Sequence, residues 1–379
     1  MMSRRVSSED AHSAQSEVDR EQGRVGAMHR IAAVRIVAVL LLGMLMGAFP
    51  AAASDTECDG FLPDFLCDNE REARPAGHIN PMSMPFLFED PYIATDINLV
   101  GIYHNYPSDS LMDGGEAGVV ALQARLAITD RLAFIATKDG YMINRPDNGA
   151  LNNREGFMDI TVGFKYAVID DREAGLIVTP SLRYEIPLGN DQVFQGFGDG
   201  VLIPAFTMGY GPENIHLIAG VGMQIAMDDD ANSTSFFYNL HLDQAFEVDF
   251  ISGADFIVPF IELNGTSYVA SGDGSNKIVL GGTAALPRKV PLKAVQNLLH
   301  QGNPPNTITN PTADLRGEGI DVANLGSSGM SGETIITMAW GVRVPFRNGF
   351  STGVSYERVL SQRQDLFEQR WTWMVDYTF

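Results

Sequence analysis

Long hydrophobic runs are almost missing from this chain of 379 residues. A protein that crosses a membrane with helices needs repeated apolar runs of about 20 residues. One such stretch is present, at residues 31–53, although 45% of all residues are hydrophobic. The remaining apolar residues are spread in short groups, which excludes a bundle of membrane-spanning helices, and their abundance excludes a disordered chain.

Cysteine and basic residues are also scarce. Cys58 and Cys67 are the only cysteines, and no cluster of histidines or cysteines completes a metal site, so neither a metal nor another cofactor is predicted. The chain has 26 Lys and Arg against 47 Asp and Glu, a formal net charge of −21. Nucleic-acid binding needs the opposite sign of charge and is excluded as a function.

The single hydrophobic stretch has the features of a secretory signal peptide. Basic residues precede its apolar centre, and the small residues Ala51–Ala53 favour cleavage near Ala53/Ser54. Residues 1–53 are therefore predicted to be an upstream segment plus the signal, with Met28 as the start of translation; a membrane anchor is the alternative. In an exported chain, Cys58 and Cys67 are candidates for a disulfide bond.

Residues 54–92 are rich in proline and irregular, and they are predicted to form a periplasmic N-terminal extension. From residue 93 onward the pattern changes to strand-length segments in which apolar and polar residues alternate. Twelve such segments are predicted, approximately at 95–106, 117–128, 131–141, 157–168, 175–187, 200–210, 214–227, 235–248, 255–267, 332–346, 350–360 and 366–379.

The connections between these segments alternate in length. Every second connection is short, such as Thr129–Asp130 and Arg347–Gly349, whereas most of the others are long, above all residues 268–331. An even number of strands with short periplasmic turns and long extracellular loops is typical of an outer-membrane β-barrel. Within the longest loop, residues 289–302 are predicted to form a short amphipathic helix, and this loop either folds into the barrel or stays exposed.

The alternation also assigns the two faces of each strand. In the fifth segment, Leu176, Val178, Leu182, Tyr184 and Ile186 share one face, and the polar residues share the other. Charges cost free energy on a lipid face, so the polar face is predicted to line the lumen. The candidate lumen and pore-lining residues are Arg125, Asp159, Lys165, Arg183, Glu185, His241, Asp243, Glu247, Arg343, Glu357 and Arg370. His241 is expected to make conduction sensitive to pH near neutrality.

The chain ends on its most aromatic strand. Trp371, Trp373, Tyr377 and Phe379 share the face predicted to meet lipid. Such an ending resembles the C-terminal signal by which outer-membrane barrels are recognised, so the barrel-assembly machinery and outer-membrane lipids are the predicted partners. Pairing of the last strand with the first would close an all-β, antiparallel transmembrane barrel of about 12 strands in the outer membrane of a Gram-negative bacterium. A soluble β-sandwich is the alternative.

Several stretches resemble the outer-membrane family named for the MetA pathway of phenol degradation, a set of transporters. Residues 122–134 resemble its strand–turn–strand hairpin, and residues 156–171 resemble its glycine-rich strand through Gly156, Asp159, Gly163, Lys165 and Tyr166. Residues 181–200 resemble the following strand and loop. Met158 and Leu188 depart from the family pattern, and the resemblance is clearest over residues 117–210. It implies a barrel that moves small hydrophobic or aromatic compounds and implies no catalytic residues.

Three functions are compatible with this sequence. The first is a passive channel for small solutes, in which the lumen charges either line a pore or pair with one another in a packed interior. The second is a structural or adhesive barrel with acidic loops at residues 108–116 and 228–234. The third is an outer-membrane lipid hydrolase, for which Ser235, His241 and Asp243 are the first candidates and His104 with Ser108 and Ser110 the second. Neither the solute nor the oligomeric state follows from the sequence.

Overall fold

The computed structural model describes most of the chain after residue 73. The described residues are 74–108, 110, 112–147, 153–211, 214–229, 232–270, 277–278, 315–316, 331–362, 364 and 367–379. The predicted signal peptide, Cys58, Cys67 and the predicted helix at 289–302 lie outside these ranges. Within them, no helix has both the length and the apolar character to cross a membrane.

The described residues form one large antiparallel sheet of twelve strands, some of which are interrupted by a bulge or a short break. Their bounds are β1 (Asp96–Asn105), β2 (Gly115–Thr129), β3 (Leu132–Lys138 and Gly140–Pro146), β4 (Arg154–Phe157, Ile160–Tyr166 and Ile169–Asp171), β5 (Leu176–Ile186), β6 (Val201–Tyr210), β7 (Ile215–Ala226), β8 (Thr234–Gln244 and Phe246–Glu247), β9 (Phe256–Ala270), β10 (Thr334–Pro345), β11 (Phe350–Val359) and β12 (Gln369–Thr378).

The sheet closes on itself. Each strand pairs with its neighbours in the chain, and β1 pairs with both β2 and β12, with Asp96 opposite Arg125 on one side and Thr378 on the other. Closure leaves no edge of unpaired backbone groups, which is the condition for a sheet to stand in lipid. The predicted fold, a closed antiparallel barrel of about 12 strands, is confirmed.

The two ends of the barrel differ as predicted. The short connections lie at one end, together with the start of β1 and the end of β12; they are residues 130–131, 172–175, 211–214, 248–255 and 346–349. The other pairs of consecutive strands meet at the opposite end, where the connections span residues 106–114, 147–153, 187–200, 227–233, 271–333 and 360–368, and four of these six are longer than any connection at the first end. In the longest of these, Lys277–Ile278 pairs with Leu315–Arg316. We call these two ends the short-turn end and the long-loop end.

The outer and inner faces of the barrel have opposite chemistry. Large apolar side chains such as Leu122, Phe164, Leu182 and Phe206 are exposed on the outer face. Their strand neighbours of opposite parity, including charged residues, are buried inside. A soluble sandwich would bury its large apolar face, so this arrangement fits a barrel whose outer surface meets lipid.

Aromatic residues form a continuous patch on the outer face of the last three strands. The ring centroids of Trp340 and Tyr356 are 5.1 Å apart, and those of Tyr356 and Trp371 are 4.8 Å apart. Trp373 lies beside Trp371, and Tyr377 packs against Phe379 near the short-turn end. These residues have the outward position that an interfacial girdle requires, while their recognition by the assembly machinery stays a prediction.

The interior holds a segment of the chain itself. Residues 79–94 are almost completely buried, and they contact inward-facing residues of strands all around the barrel. We call residues 74–95 the plug. The expectation that residues 54–92 form a periplasmic extension is therefore wrong for residues 74–92, because their apolar side chains find burial and their backbone finds hydrogen-bond partners inside the barrel.

A charge on the outer face tests the membrane setting. Leu182 is exposed at the middle of β5, and Leu182→Arg is expected to lower the free energy of unfolding in lipid vesicles by about 2–4 kcal/mol because the cation would face hydrocarbon. Urea titration of the refolded protein measures this change. Glu173→Arg, in an exposed turn, is the control and is expected to have little effect. Equal stability of both variants would contradict a lipid-facing surface.

Candidate functional site

The plug enters and leaves the barrel at the short-turn end. At its start, Arg74 Nη1 donates to Thr378 Oγ1 at 3.1 Å, and at its end the Phe379 amide donates to the Thr95 carbonyl at 3.1 Å. Between them the chain reverses at Met84, whose carbonyl accepts from the amides of Leu87 and Phe88, both at 2.9 Å. Met84 has a positive φ of 49°, as such a tight reversal requires. The plug is therefore a re-entrant loop.

A cluster of ion pairs joins the two arms of this loop. Arg74 Nη2 lies 3.1 Å from Asp90 and 2.8 Å from Asp96, and His78 Nε2 lies 2.9 Å from Asp90. Burial on its own would lower the pKa of Arg74, but the two carboxylates raise it. Burial also lowers the pKa of His78 more strongly than Asp90 raises it. This cluster links the start of the plug to its return arm and to β1.

Cationic residues of the barrel bind the return arm of the plug. Arg125 on β2 makes a bidentate contact with Glu89, at 2.6 Å from Nε and 2.8 Å from Nη2, and Lys165 on β4 donates to the same carboxylate at 2.9 Å. Arg183 on β5 donates to the carbonyls of Phe86 and Leu87 at 2.9 and 3.0 Å. Three neighbouring positions on the barrel wall thus hold one stretch of the plug.

The charge of Glu89 is stabilised by this wall. Burial would raise the pKa of the Glu89 carboxyl, but Arg125 and Lys165 outweigh it and lower the pKa to about 2. The carboxylate is therefore ionised at neutral pH although it is almost fully buried. A buried charge of this kind depends on its partners, because removal of either side leaves an uncompensated charge out of water.

The opposite wall binds the plug through a carboxylate. Glu262 on β9 accepts from the amides of Met82 at 2.9 Å and Ser83 at 2.6 Å. Asn264, two residues further along β9, donates to Ser83 Oγ at 2.7 Å. The backbone of the plug therefore meets acceptors on β9 and donors on β2, β4 and β5, which satisfies polar groups that would otherwise be buried unpaired.

His241 lies between two carboxylates behind this contact. Its Nδ1 is 2.7 Å from Glu262 and its Nε2 is 2.8 Å from Asp243, which also bonds His216 Nδ1 at 2.6 Å. Both ring nitrogens then act as donors, so the imidazole holds two protons. This arrangement does not support the expectation that His241 titrates near neutrality.

Ten of the eleven predicted lumen residues are buried inside the barrel, and Glu247 is exposed. Arg343 pairs with Asp376 and donates to the Asn80 carbonyl at 2.9 Å. Lys138, which the sequence analysis did not single out, pairs with Glu185 at 2.7 Å.

Among the remaining predicted residues, Arg370 lies near Glu357, and Asp159 binds a loop. Arg370 lies 3.7 Å from Glu357 and 4.0 Å from the sulfur of Met84. Asp159 accepts from the amides of Gly189 and Gly196 at 2.8 and 2.9 Å and so holds the loop after β5. Asp159 therefore stabilises a loop at the long-loop end of the barrel.

Apolar contacts also join the plug to the barrel wall. Ile79, Met82 and Phe86 of the plug belong to one buried cluster with inward-facing barrel residues. The barrel members of this cluster include Val100, Ile102, Val119, Ala121, Met142 and Met374. On the other side, a Cβ at Gly209 would lie 2.9 Å from Pro91, and a Cβ at Gly220 would lie 3.3 Å from the Phe88 ring. Glycine at these two positions makes room for the plug.

The first pair of hydrolase candidates, Ser235 and His241, is not arranged for catalysis. Ser235 Oγ donates to Gln224 at 2.9 Å, and the six residues that separate it from His241 on β8 correspond to about 20 Å. Since both nitrogens of His241 already face carboxylates, this histidine does not activate Ser235. His104 packs against Phe367 and lies 3.4 Å from Arg370. Among the described residues, no three His, Cys, Asp or Glu side chains are grouped so that they could hold a metal ion.

The residues that the sequence analysis missed are those of the plug, chiefly Glu89 and Asp90. A signal was present: residues 79–93 combine Ile, Met, Phe, Leu and Tyr with a pair of acidic residues. Such apolar content is unusual for a hydrated extension. Glu262 and Asp96 lie on the inward-facing side of their strands, so the alternation of polar and apolar residues is enough to predict that they face the lumen.

Comparison with solved structures finds β-barrels of the outer membrane. An outer membrane channel from Pseudomonas putida F1 aligns with 80% of this chain and 100% of its own, at 15% identity and a TM-score of 0.44. The NanC porin aligns with 75% and 100%, at 8% identity and a TM-score of 0.41. LpxR from Salmonella typhimurium aligns with 75% and 100%, at 8% identity and a TM-score of 0.39.

These likenesses are too distant to support a function. No family model matches the sequence, and no curated protein matches it significantly. Membership of the MetA-pathway family therefore stays a prediction. The assignment of this chain to the transmembrane β-barrel class rests on its own closed strand pairing and its apolar outer face.

Proposed function

We propose that this protein is a passive outer-membrane channel for small solutes and that the plug closes it. The observation that carries the proposal is how the lumen is filled. In a narrow barrel without a channel role, side chains of the strands fill the interior. Here a separate stretch of 22 residues, counted from Arg74 to Thr95, fills it.

The plug is attached so that it can leave without disrupting the barrel. Apart from the bond between Phe379 and Thr95 at its end, the plug contacts the wall through its own side chains and through wall side chains that bond its backbone. The strand ladder closes independently of it through β1, β2 and β12. Both arms reach the short-turn end, so withdrawal toward that side breaks no strand pairing. Opening would then be a local transition of the plug at the cost of its buried contacts.

The lumen without the plug would present both charged and apolar walls. Arg125, Lys165 and Arg183 stand on one side, and Glu262 stands on another. The apolar residues now covered by Ile79 and Met82 would become accessible as well. A mixed surface of this kind suits small solutes with a hydrophobic or aromatic body, in agreement with what the resemblance to the phenol-degradation family implies.

Loss of the Glu89 carboxylate is expected to release the plug. Glu89→Gln leaves Arg125 and Lys165 as buried cations without their carboxylate, and it is expected to weaken plug binding by about 3–5 kcal/mol. Vesicles that carry the mature variant are therefore expected to release a trapped small sugar faster than vesicles with the natural sequence. Glu247→Gln is the matched control, because this carboxylate is exposed and its loss is expected to leave the flux unchanged.

A disulfide lock provides the reverse control in the Glu89→Gln background. The side chains of Ser83 in the plug and Asn264 on the barrel wall are in contact, at 2.7 Å, so Ser83→Cys with Asn264→Cys, in a chain with Cys58→Ser and Cys67→Ser, is expected to tether the plug. Oxidation should stop the flux and reduction should restore it. Equal flux in the two redox states would show that the plug does not control the path.

Acid is expected to release the plug by protonating Glu89. The pKa of Glu89 is lowered from 4.5 to about 2 in the folded protein, so its contribution to plug binding is complete above about pH 4.5 and is lost as the pH falls through about 2. Sugar release through the natural sequence should stay constant from about pH 8 to pH 5 and should rise below about pH 4.5. Release through Glu89→Gln should lack this rise, and activation near neutrality would contradict the role of Glu89.

A further inference from the structure

The cationic side chains of the lumen depend on the plug for their partners. Both hydrogen bonds of Lys165 Nζ go to the plug, one to the Glu89 carboxylate and one to the Asp90 carbonyl at 2.8 Å. Both hydrogen bonds of Arg183 also go to plug carbonyls, and its Nε is buried without a hydrogen-bond partner among the described residues. Withdrawal of the plug would therefore leave two buried cations with unused donors.

The barrel itself neutralises this group only in part. Asp96 accepts from Arg125 Nη1 at 3.1 Å, and Glu185, the next carboxylate on β5, is already paired with Lys138 at 2.7 Å. The group formed by Arg125, Lys165 and Arg183 therefore keeps an excess of positive charge once Glu89 has left. In a confined lumen such an excess attracts an anion more strongly than it would in bulk water, because the low-dielectric wall of the barrel focuses the field.

The residue before Glu89 occupies an apolar recess beside the cations, since Ile203 in this recess is the cross-strand neighbour of Arg183. The Phe88 ring packs in a buried cluster with Ile203, Ala205, Ile218 and Phe237. Gly220 gives this ring space, since a Cβ there would lie 3.3 Å from it. The plug therefore places an aromatic ring in an apolar recess and a carboxylate on the cationic group, at adjacent residues.

We propose that Arg125, Lys165 and Arg183 form a binding site for small carboxylates with an aromatic or apolar body, and that Glu89 with Phe88 occupies this site when the channel is closed. The proposal rests on the proposed channel function and names its class of solute. The bidentate fork of Arg125 matches the geometry of a carboxylate. A solute of this class competes with Glu89, so it both occupies the lumen and favours the open plug.

Benzoate binding to the full mature chain tests the site directly. The Glu89→Gln variant, in detergent micelles, is titrated with urea in the presence of sodium benzoate, sodium acetate or sodium chloride. Benzoate is expected to raise the unfolding midpoint more than acetate, and acetate more than chloride, because a ligand that binds the folded state stabilises it. The benzoate effect should disappear in Glu89→Gln with Lys165→Gln and should return with Lys165→Arg in place of Lys165→Gln.

Arg131→Gln in the same background is the matched control, because Arg131 is exposed in a turn and its loss leaves the lumen charge unchanged. A benzoate effect that is equal in the Lys165→Gln and Arg131→Gln variants, or no larger than the effect of chloride, would overturn the proposal. This readout needs no conduction, so failure of the channel function is detected separately.

Reversal potentials across planar bilayers under a sodium benzoate gradient supply the second readout. Glu89→Gln is expected to prefer benzoate to sodium, and Lys165→Gln in that background is expected to lower the permeability ratio by about threefold or more, since one lumen charge is removed. An unchanged ratio would contradict a role of this site in selectivity. A complete absence of current in Glu89→Gln would instead contradict the channel function, and the urea titrations would still decide on binding.

Discussion

The requirement that every backbone polar group finds a partner governs this molecule at two levels. In lipid, an open sheet edge would leave a row of unpaired N–H and C=O groups, so the twelve strands close through the pairing of β1 with β12. Closure creates an interior, and the plug that enters it brings its own backbone groups out of water. Those groups are satisfied by side chains on the wall: Glu262 accepts from two amides of the plug, and Arg183 donates to two of its carbonyls.

Buried charge follows from the same requirement. Glu89 remains ionised inside the barrel because Arg125 and Lys165 donate hydrogen bonds to its carboxylate. A set of this kind contributes specificity for one position of the plug and makes the closed state sensitive to the loss of any member. The proposed function and the proposed carboxylate site both follow from this arrangement. The cations that hold the plug in the lumen are also the groups that an anionic solute would bind.

Much of the fold could be predicted from the sequence because the strands of a barrel depend on patterns among residues that are close along the chain. Alternation in segments such as Leu176–Ile186 assigns each residue to the outer or inner face, and the alternation of short and long connections gives the topology. The burial of Arg125, Lys165 and Arg183 followed from parity alone. Glu247 also has inward parity, yet it is exposed near the short-turn end, because parity does not tell how far the filled part of the lumen extends.

The sequence by itself determined the strands, their order, the closed barrel and the chemistry of its two faces, since each depends on residues that are neighbours along the chain or on neighbouring strands. Only the tertiary structure decided what fills the lumen. The contacts of the plug join residues that are far apart in sequence, such as Glu89 with Lys165 and Ser83 with Glu262. A periodic sequence pattern does not predict such contacts, because the plug has no regular backbone structure of its own. Its position depends instead on complementary charge and shape toward many strands at once.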